Sequence, residues 1–117
     1  MTTDQYKRLL QLKRFWTDLI ARTLTAKRRL RRGDSFCIMG AACEVYRRHN
    51  KAARWTNDKF VVKGLLGDWR YAEPEIVRQW FGLGYKSAAD LIIANDLHGP
   101  EAVLSTLEII IEKLKTQ

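Results

Sequence analysis

Long hydrophobic runs are missing from this chain. Runs such as Leu91-Ile92-Ile93-Ala94 and Ile109-Ile110-Ile111 fall far short of the roughly 18 apolar residues that span a bilayer. The N-terminus carries charge from Asp4 onward and has no apolar stretch, so no secretory leader is expected. No membrane association follows, and the cytoplasm is the expected compartment. Cysteine is equally scarce: Cys37 and Cys43 are the two present, too few for a disulfide framework. Placed on one helix they would stand about 9 Å apart along the axis and about 120° apart around it. A bridge needs Cα atoms within about 7 Å, so both thiols are expected reduced.

Catalytic and cofactor signatures are also lacking. There is no glycine-rich run followed by Lys-Ser/Thr, and Gly82-Leu83-Gly84 is a lone G-x-G that follows a helical pattern where the dinucleotide motif needs a strand. Cys37, Cys43, His49 and His98 are soft ligands at the wrong spacing, since structural zinc sites pair ligands two to five residues apart. No activated-cysteine sequence surrounds either thiol. Acids do pair, Glu73 with Glu75 and Asp90 with Asp96, but Glu75 falls in a first helical turn, where a carboxylate simply complements the dipole. No metal, no cofactor and no enzyme activity are expected.

What remains is an ordinary globular composition, 46% apolar and 29% charged, with four Trp, four Tyr and four Phe to fill a core. At 117 residues a single domain over 1–117 is expected, because two cores of half that size would not stabilise themselves. Leu9, Leu12, Trp16, Leu19 and Ile20, then Thr23 and Leu24, recur at helical spacing after a cap at Thr3 or Asp4. A second helix is expected from Ile38 to His49, a third over 75–81 behind Pro74, and a fourth capped by Ser87 and running to about Asn95. Residues 95–99 read as a connection, and Pro100 opens a last helix carrying Val103, Leu104, Leu107, Ile110, Ile111 and Leu114. Between the second and third, aromatic and β-branched residues alternate with turn dipeptides, which predicts a short irregular β-hairpin near 55–71. The fold class is mainly α, with about five helices.

Charge is the feature with functional content. Residues 1–54 hold 14 Lys/Arg against four Asp/Glu, whereas residues 55–117 hold seven against nine. The densest group is Lys27, Arg28, Arg29, Arg31 and Arg32, with Arg47, Arg48, Lys51 and Arg54 as a second group. One or two cations at a helix C-terminus gain about 0.3–1 kcal/mol each from the dipole; five in six positions exceed that need. These nine are the candidate anion- or nucleic-acid-binding residues, because arginine's planar fork suits phosphate. Lys7, Arg8, Lys13, Arg14 and Arg22 extend the surface if the first two helices lie side by side.

The segment Phe36-Cys37-Ile38-Met39-Gly40-Ala41-Ala42-Cys43-Glu44-Val45-Tyr46-Arg47-Arg48 resembles a family of small, functionally unassigned proteins of bacteriophages and bacteria, whose pattern is Cys-x-x-Gly-x-x-Cys on a short helix. Glu73-Pro74-Glu75-Ile76-Val77-Arg78-Gln79-Trp80-Phe81-Gly82-Leu83 and residues 91–96 are similar to its Pro-x-x-Val-x-x-Trp-x-Gly-Leu and Leu-x-x-Leu-Asn-Asp stretches. The likeness runs in order over residues 12–115 and departs from the pattern in Ile93-Ala94 and in the basic insert at 27–32. It implies a phage or prophage accessory protein in a bacterial host cell and carries over no functional residue. The expected function is binding to an anionic host macromolecule, nucleic acid or a nucleoprotein such as a defence complex. A nucleotide pocket built from Trp55, Phe60, Trp69, Tyr71 and Trp80 is one alternative, and inhibition of a host protein through an apolar surface is another; Trp69, Tyr71 and Phe81 are either core or an interface between copies. Thiol chemistry at Cys37 or Cys43 with His98 is a third; homo-oligomerisation is left open.

Overall fold

A computed structural model describes residues 2–72 and 74–115. Thr2 starts the first helix, α1 (Thr3–Ala21), by a reciprocal capping box: its hydroxyl accepts from the Gln5 amide at 3.1 Å, and its own amide donates to the Gln5 side chain at 3.0 Å. The cap is therefore Thr2, one residue ahead of the Thr3 or Asp4 expected. Leu9, Leu12, Trp16 and Leu19 form the buried stripe, and the Trp16 indole donates to the Pro100 carbonyl at 2.9 Å. The helix stops before Thr23, which has φ +58°. Thr23 and Leu24 thus lie past its end, although Leu24 still packs on the core.

The chain then makes a two-residue hairpin, β1 (Arg31–Arg32) with β2 (Ser35–Phe36), and enters α2 (Ile38–His49). The bounds of α2 match the sequence reading. Three antiparallel strands follow, β3 (Ala53–Thr56), β4 (Lys59–Lys63) and β5 (Trp69–Tyr71), in that spatial order. The expected hairpin is thus present with a third strand added, and the β1–β2 hairpin is a further one. Helices α3 (Pro74–Phe81), α4 (Tyr85–Ile93) and α5 (Pro100–Lys115) complete the fold. It is mainly α, and no described helix is long and apolar enough to cross a membrane.

Two boundaries differ from expectation. Gly84, not Ser87, caps α4, and does so without a side-chain bond; Ser87 lies inside the helix. The segment read as a connection is a π-helical turn, Ala94–His98, ended by Gly99 at φ +100°. Tertiary bonds hold that wide turn in place. Asn95, only 3% exposed, accepts from the Ile38 amide at 2.9 Å and donates to the Ala26 carbonyl at 3.0 Å. One buried amide therefore joins the start of α2, the segment before the basic run and the end of α4. The core is shared by α1, α2, α3, α4 and α5, with Phe36, Ala53 and Phe60 contributed from the strands.

Candidate anion-binding surface

The basic run 27–32 is not a helix C-terminus, because α1 has already ended at Ala21. Dipole complementation therefore does not account for it. The run is instead pinned along its length. The Ala26 amide donates to the Phe36 carbonyl at 2.8 Å, the Arg28 amide to Asp96 at 3.2 Å, and the Cys37 amide to the Leu30 carbonyl at 3.3 Å. Strand alternation then separates its last two arginines: Arg31 is half-buried and Arg32 is exposed.

Arg31 turns into an open cleft of about 510 Å³, where it meets Arg22 from the end of α1 and Arg47 and Arg48 from α2. Phe15, Phe36 and Trp55 supply the apolar wall. The Arg31 guanidinium lies 5.6 Å from the Phe36 ring centre and 5.4 Å from Trp55, and donates to the Gly33 carbonyl at 2.6 Å. Arg48 covers Phe15 at 4.5 Å. Arg31 and Arg48 are thus each placed beside a ring, which limits the freedom they must lose on binding an anion.

Glu44 sits at the bottom of this cleft with its side chain 10% exposed. It accepts from Arg47 Nε at 2.7 Å and Nη2 at 2.9 Å, from Arg48 Nε at 3.1 Å and from the Trp55 indole at 3.0 Å. Burial alone would raise its pKa. The bonds from Arg47, Trp55 and Arg48 and the Arg47 charge outweigh that and hold it at about 2. The carboxylate organises the arginines without cancelling them. Four guanidiniums face the carboxylates of Glu44 and Asp34, and Asp18 stands 3.7 Å from Arg22, which leaves the cleft one charge positive. The remaining N–H donors of Arg47 and Arg48 are not used by Glu44.

The other candidates lie elsewhere. Arg28 and Arg29 flank a second hollow with Ile92 and Asp96. Arg54 is on β3 with its guanidinium 4.0 Å from the Trp69 ring centre, and Lys51 is exposed in the preceding turn. Of the proposed extension, Arg8 is committed to Trp80, donating to its carbonyl at 2.8 Å and covering its ring at 4.3 Å, and Lys13 pairs with Glu108 at 3.8 Å. Glu44 was missed as an organiser, although its spacing of three and four before Arg47 and Arg48 is a legible helical signal.

The remaining sequence candidates do not converge. Trp55 and Phe60 pack inward with ring centres 5.0 Å apart, Trp80 meets Tyr46 edge to face at 5.3 Å, and Trp69 and Tyr71 occupy the opposite face of the sheet. These five aromatics form no single pocket. Cys37 is the buried N-cap of α2, its sulfur accepting from the Gly40 amide at 3.3 Å, and burial raises its pKa. Burial, with the neighbouring Cys37, pushes Cys43 up to about 12. Burial thus disfavours the thiolate at both, and His98 is exposed in the π turn. Glu73 lies outside the described residues, and Glu75 accepts from the Tyr85 hydroxyl at 2.7 Å. Among the described residues no three His, Cys, Asp or Glu side chains gather as a metal site. No protein family, curated protein or solved structure matches this chain.

Proposed function

We propose that this is a non-enzymatic accessory binding protein that holds an anionic macromolecule, nucleic acid or a nucleoprotein, on its arginine-rich surface. The observation that carries the reading is the cleft in which Arg22, Arg31, Arg47 and Arg48 meet Phe15, Phe36 and Trp55. Arg31 and Arg48, already placed beside rings and with N–H donors to spare, suit phosphate. Arg28, Arg29 and Arg32 make no side-chain ion pair among the described residues and add charge along the pinned run. The phage-type setting, with a host defence complex as one such nucleoprotein, draws on the residue resemblance alone.

Binding of a labelled oligonucleotide followed by anisotropy across a salt series tests this. Affinity is expected to fall steeply with salt, by about 0.9 in log–log slope per phosphate neutralised on duplex DNA. A variant with Arg28, Arg29 and Arg32 all changed to alanine should bind with a slope shallower by about two to three. A flat response in the parent protein would falsify the proposal.

A second reading, docking on a host protein through an apolar surface, draws on one specific feature. Leu65 and Leu66 stand fully exposed at the tip of the β4–β5 loop, at 107% and 94%, where neither contributes to the core. Paired changes of both to serine should abolish capture of a nuclease-insensitive partner while leaving the melting temperature within a few degrees. Capture of the same partner by the parent and the serine variant would rule this reading out.

A further inference from the structure

The outer face of the three-stranded sheet is a second surface of different character. Strand register sets its composition. Arg54 opposes Val61, Val61 opposes Tyr71, and Lys63 opposes Trp69. Opposed residues share a face and neighbours alternate, so Arg54, Lys59, Val61, Lys63, Trp69 and Tyr71 stand on one side. Ala53, Trp55, Phe60 and Val62 stand on the other, packed on the core. Val61 is buried at the centre, whereas Tyr71 is 67% exposed and the three cations are exposed.

Two rings and three cations with no carboxylate among the described residues of the face is an unusual mixture for a solvated sheet. Nearby acids are turned to other uses. Asp68 is held by Arg70 at 2.7 Å, and Asp58 accepts from the Gly33 amide at 3.4 Å. Lys59 lies 5.5 Å from the centre of the Tyr71 ring and donates to its hydroxyl at 3.3 Å. Tyr71 packs into no core, and a tyrosine left this exposed adds little to stability. Trp69 and Tyr71 are two residues apart on one strand, so the backbone positions that carry their rings stand roughly 7 Å apart. That is about twice the 3.4 Å step between stacked bases in one strand of a duplex. The spacing matches two bases splayed from one another and does not match a stacked pair.

We propose that this face binds single-stranded nucleic acid, with Tyr71 stacking one unpaired base and a second base displacing the Arg54 guanidinium from the Trp69 ring it covers at 4.0 Å, so that Arg54, Lys59 and Lys63 follow the phosphates. A π-face is shared by every base, so the contact tolerates sequence but requires the base to be unpaired. Charge complementarity selects the occupant, since an apolar protein surface would leave the three cations without partners. The inference rests on the nucleic-acid reading above and adds to it strand state and the sheet surface.

The test compares a labelled single-stranded oligothymidylate of about 12 nucleotides with the same strand in duplex with oligoadenylate. The parent is expected to favour the single strand. Tyr71→Ala should weaken single-strand binding roughly tenfold at fixed salt, with the salt slope and duplex affinity unchanged. Tyr71→Phe, which keeps the ring, should bind within about twofold of the parent on that same scale. Tyr71 is exposed, so both variants should fold, and a thermal melt checks it. If Tyr71→Ala binds single strands as the parent does, the sheet proposal is overturned while salt-dependent binding elsewhere stands. If the parent binds neither probe at low salt, both proposals fall together.

Discussion

Gly40→Ala is expected to lower the thermal midpoint by about 10 °C or more, against what helix propensity predicts. Glycine inside a helix is normally about 1 kcal/mol worse than alanine, so on propensity alone the change would stabilise α2. The surroundings reverse the sign. A Cβ on Gly40 would fall on the Leu30 carbonyl oxygen and its carbon, which are backbone atoms and cannot swing aside as a flexible side chain would. That carbonyl also accepts from the Cys37 amide, so displacing it costs a hydrogen bond next to the N-cap of α2. Overpacking costs about 1–3 kcal/mol where side chains can yield and more where they cannot. At a few degrees per kcal/mol for a domain of this size, the net loss is read easily by circular dichroism. An unchanged or raised midpoint would show that the basic run does not sit on α2. The expected loss ties function to fold, because the residue that admits the backbone of the basic segment is the glycine of the Cys37-x-x-Gly40-x-x-Cys43 pattern.

The helices were legible where periodicity alone decides them. Val103, Leu107 and Ile111 are buried at the spacing read from the chain, and α2 begins and ends where its apolar face does. The π turn was not legible, because Asn95 is a turn-former by composition and becomes a buried linker only through Ile38 and Ala26, 57 and 69 residues away. Strand β5 is too short to signal itself: Trp69–Tyr71 reads as aromatic content until β4 pairs with it. For the candidate surface, the charge imbalance was visible and its geometry was not. Adjacent arginines 31 and 32 look equivalent in sequence, yet a two-residue strand turns one toward Phe36 and Trp55 and leaves the other in solvent. Arg47 and Arg48 read as two free cations until Glu44 below them is counted, and the Trp55 indole that joins them in holding the Glu44 carboxylate arrives from β3.

Glu44→Gln is expected to destabilise the protein by about 3 kcal/mol at neutral pH, with the deficit shrinking in acid. A carboxyl of ordinary pKa 4.5 when unfolded and about 2 when folded adds about 1.4 kcal/mol for each pH unit between those values. Since the folded pKa is the lower one, the contribution is fully present above about pH 5 and is lost as pH falls toward 2. Chemical denaturation of parent and variant at several pH values checks this: the difference in unfolding free energy should be largest above pH 5 and fall steadily below it. A difference independent of pH would mean that shape, not charge, accounts for the role of Glu44. The same substitution raises the net charge of the cleft by one while leaving Arg28, Arg29 and Arg32 untouched. If phosphates sit on Arg47 and Arg48, oligonucleotide binding by the folded variant should become more salt-dependent, since Arg47 and Arg48 are released from the carboxylate charge that had partly neutralised them. A slope identical to the parent's would place the phosphates on the pinned basic run instead, and leave the cleft as the scaffold that presents it.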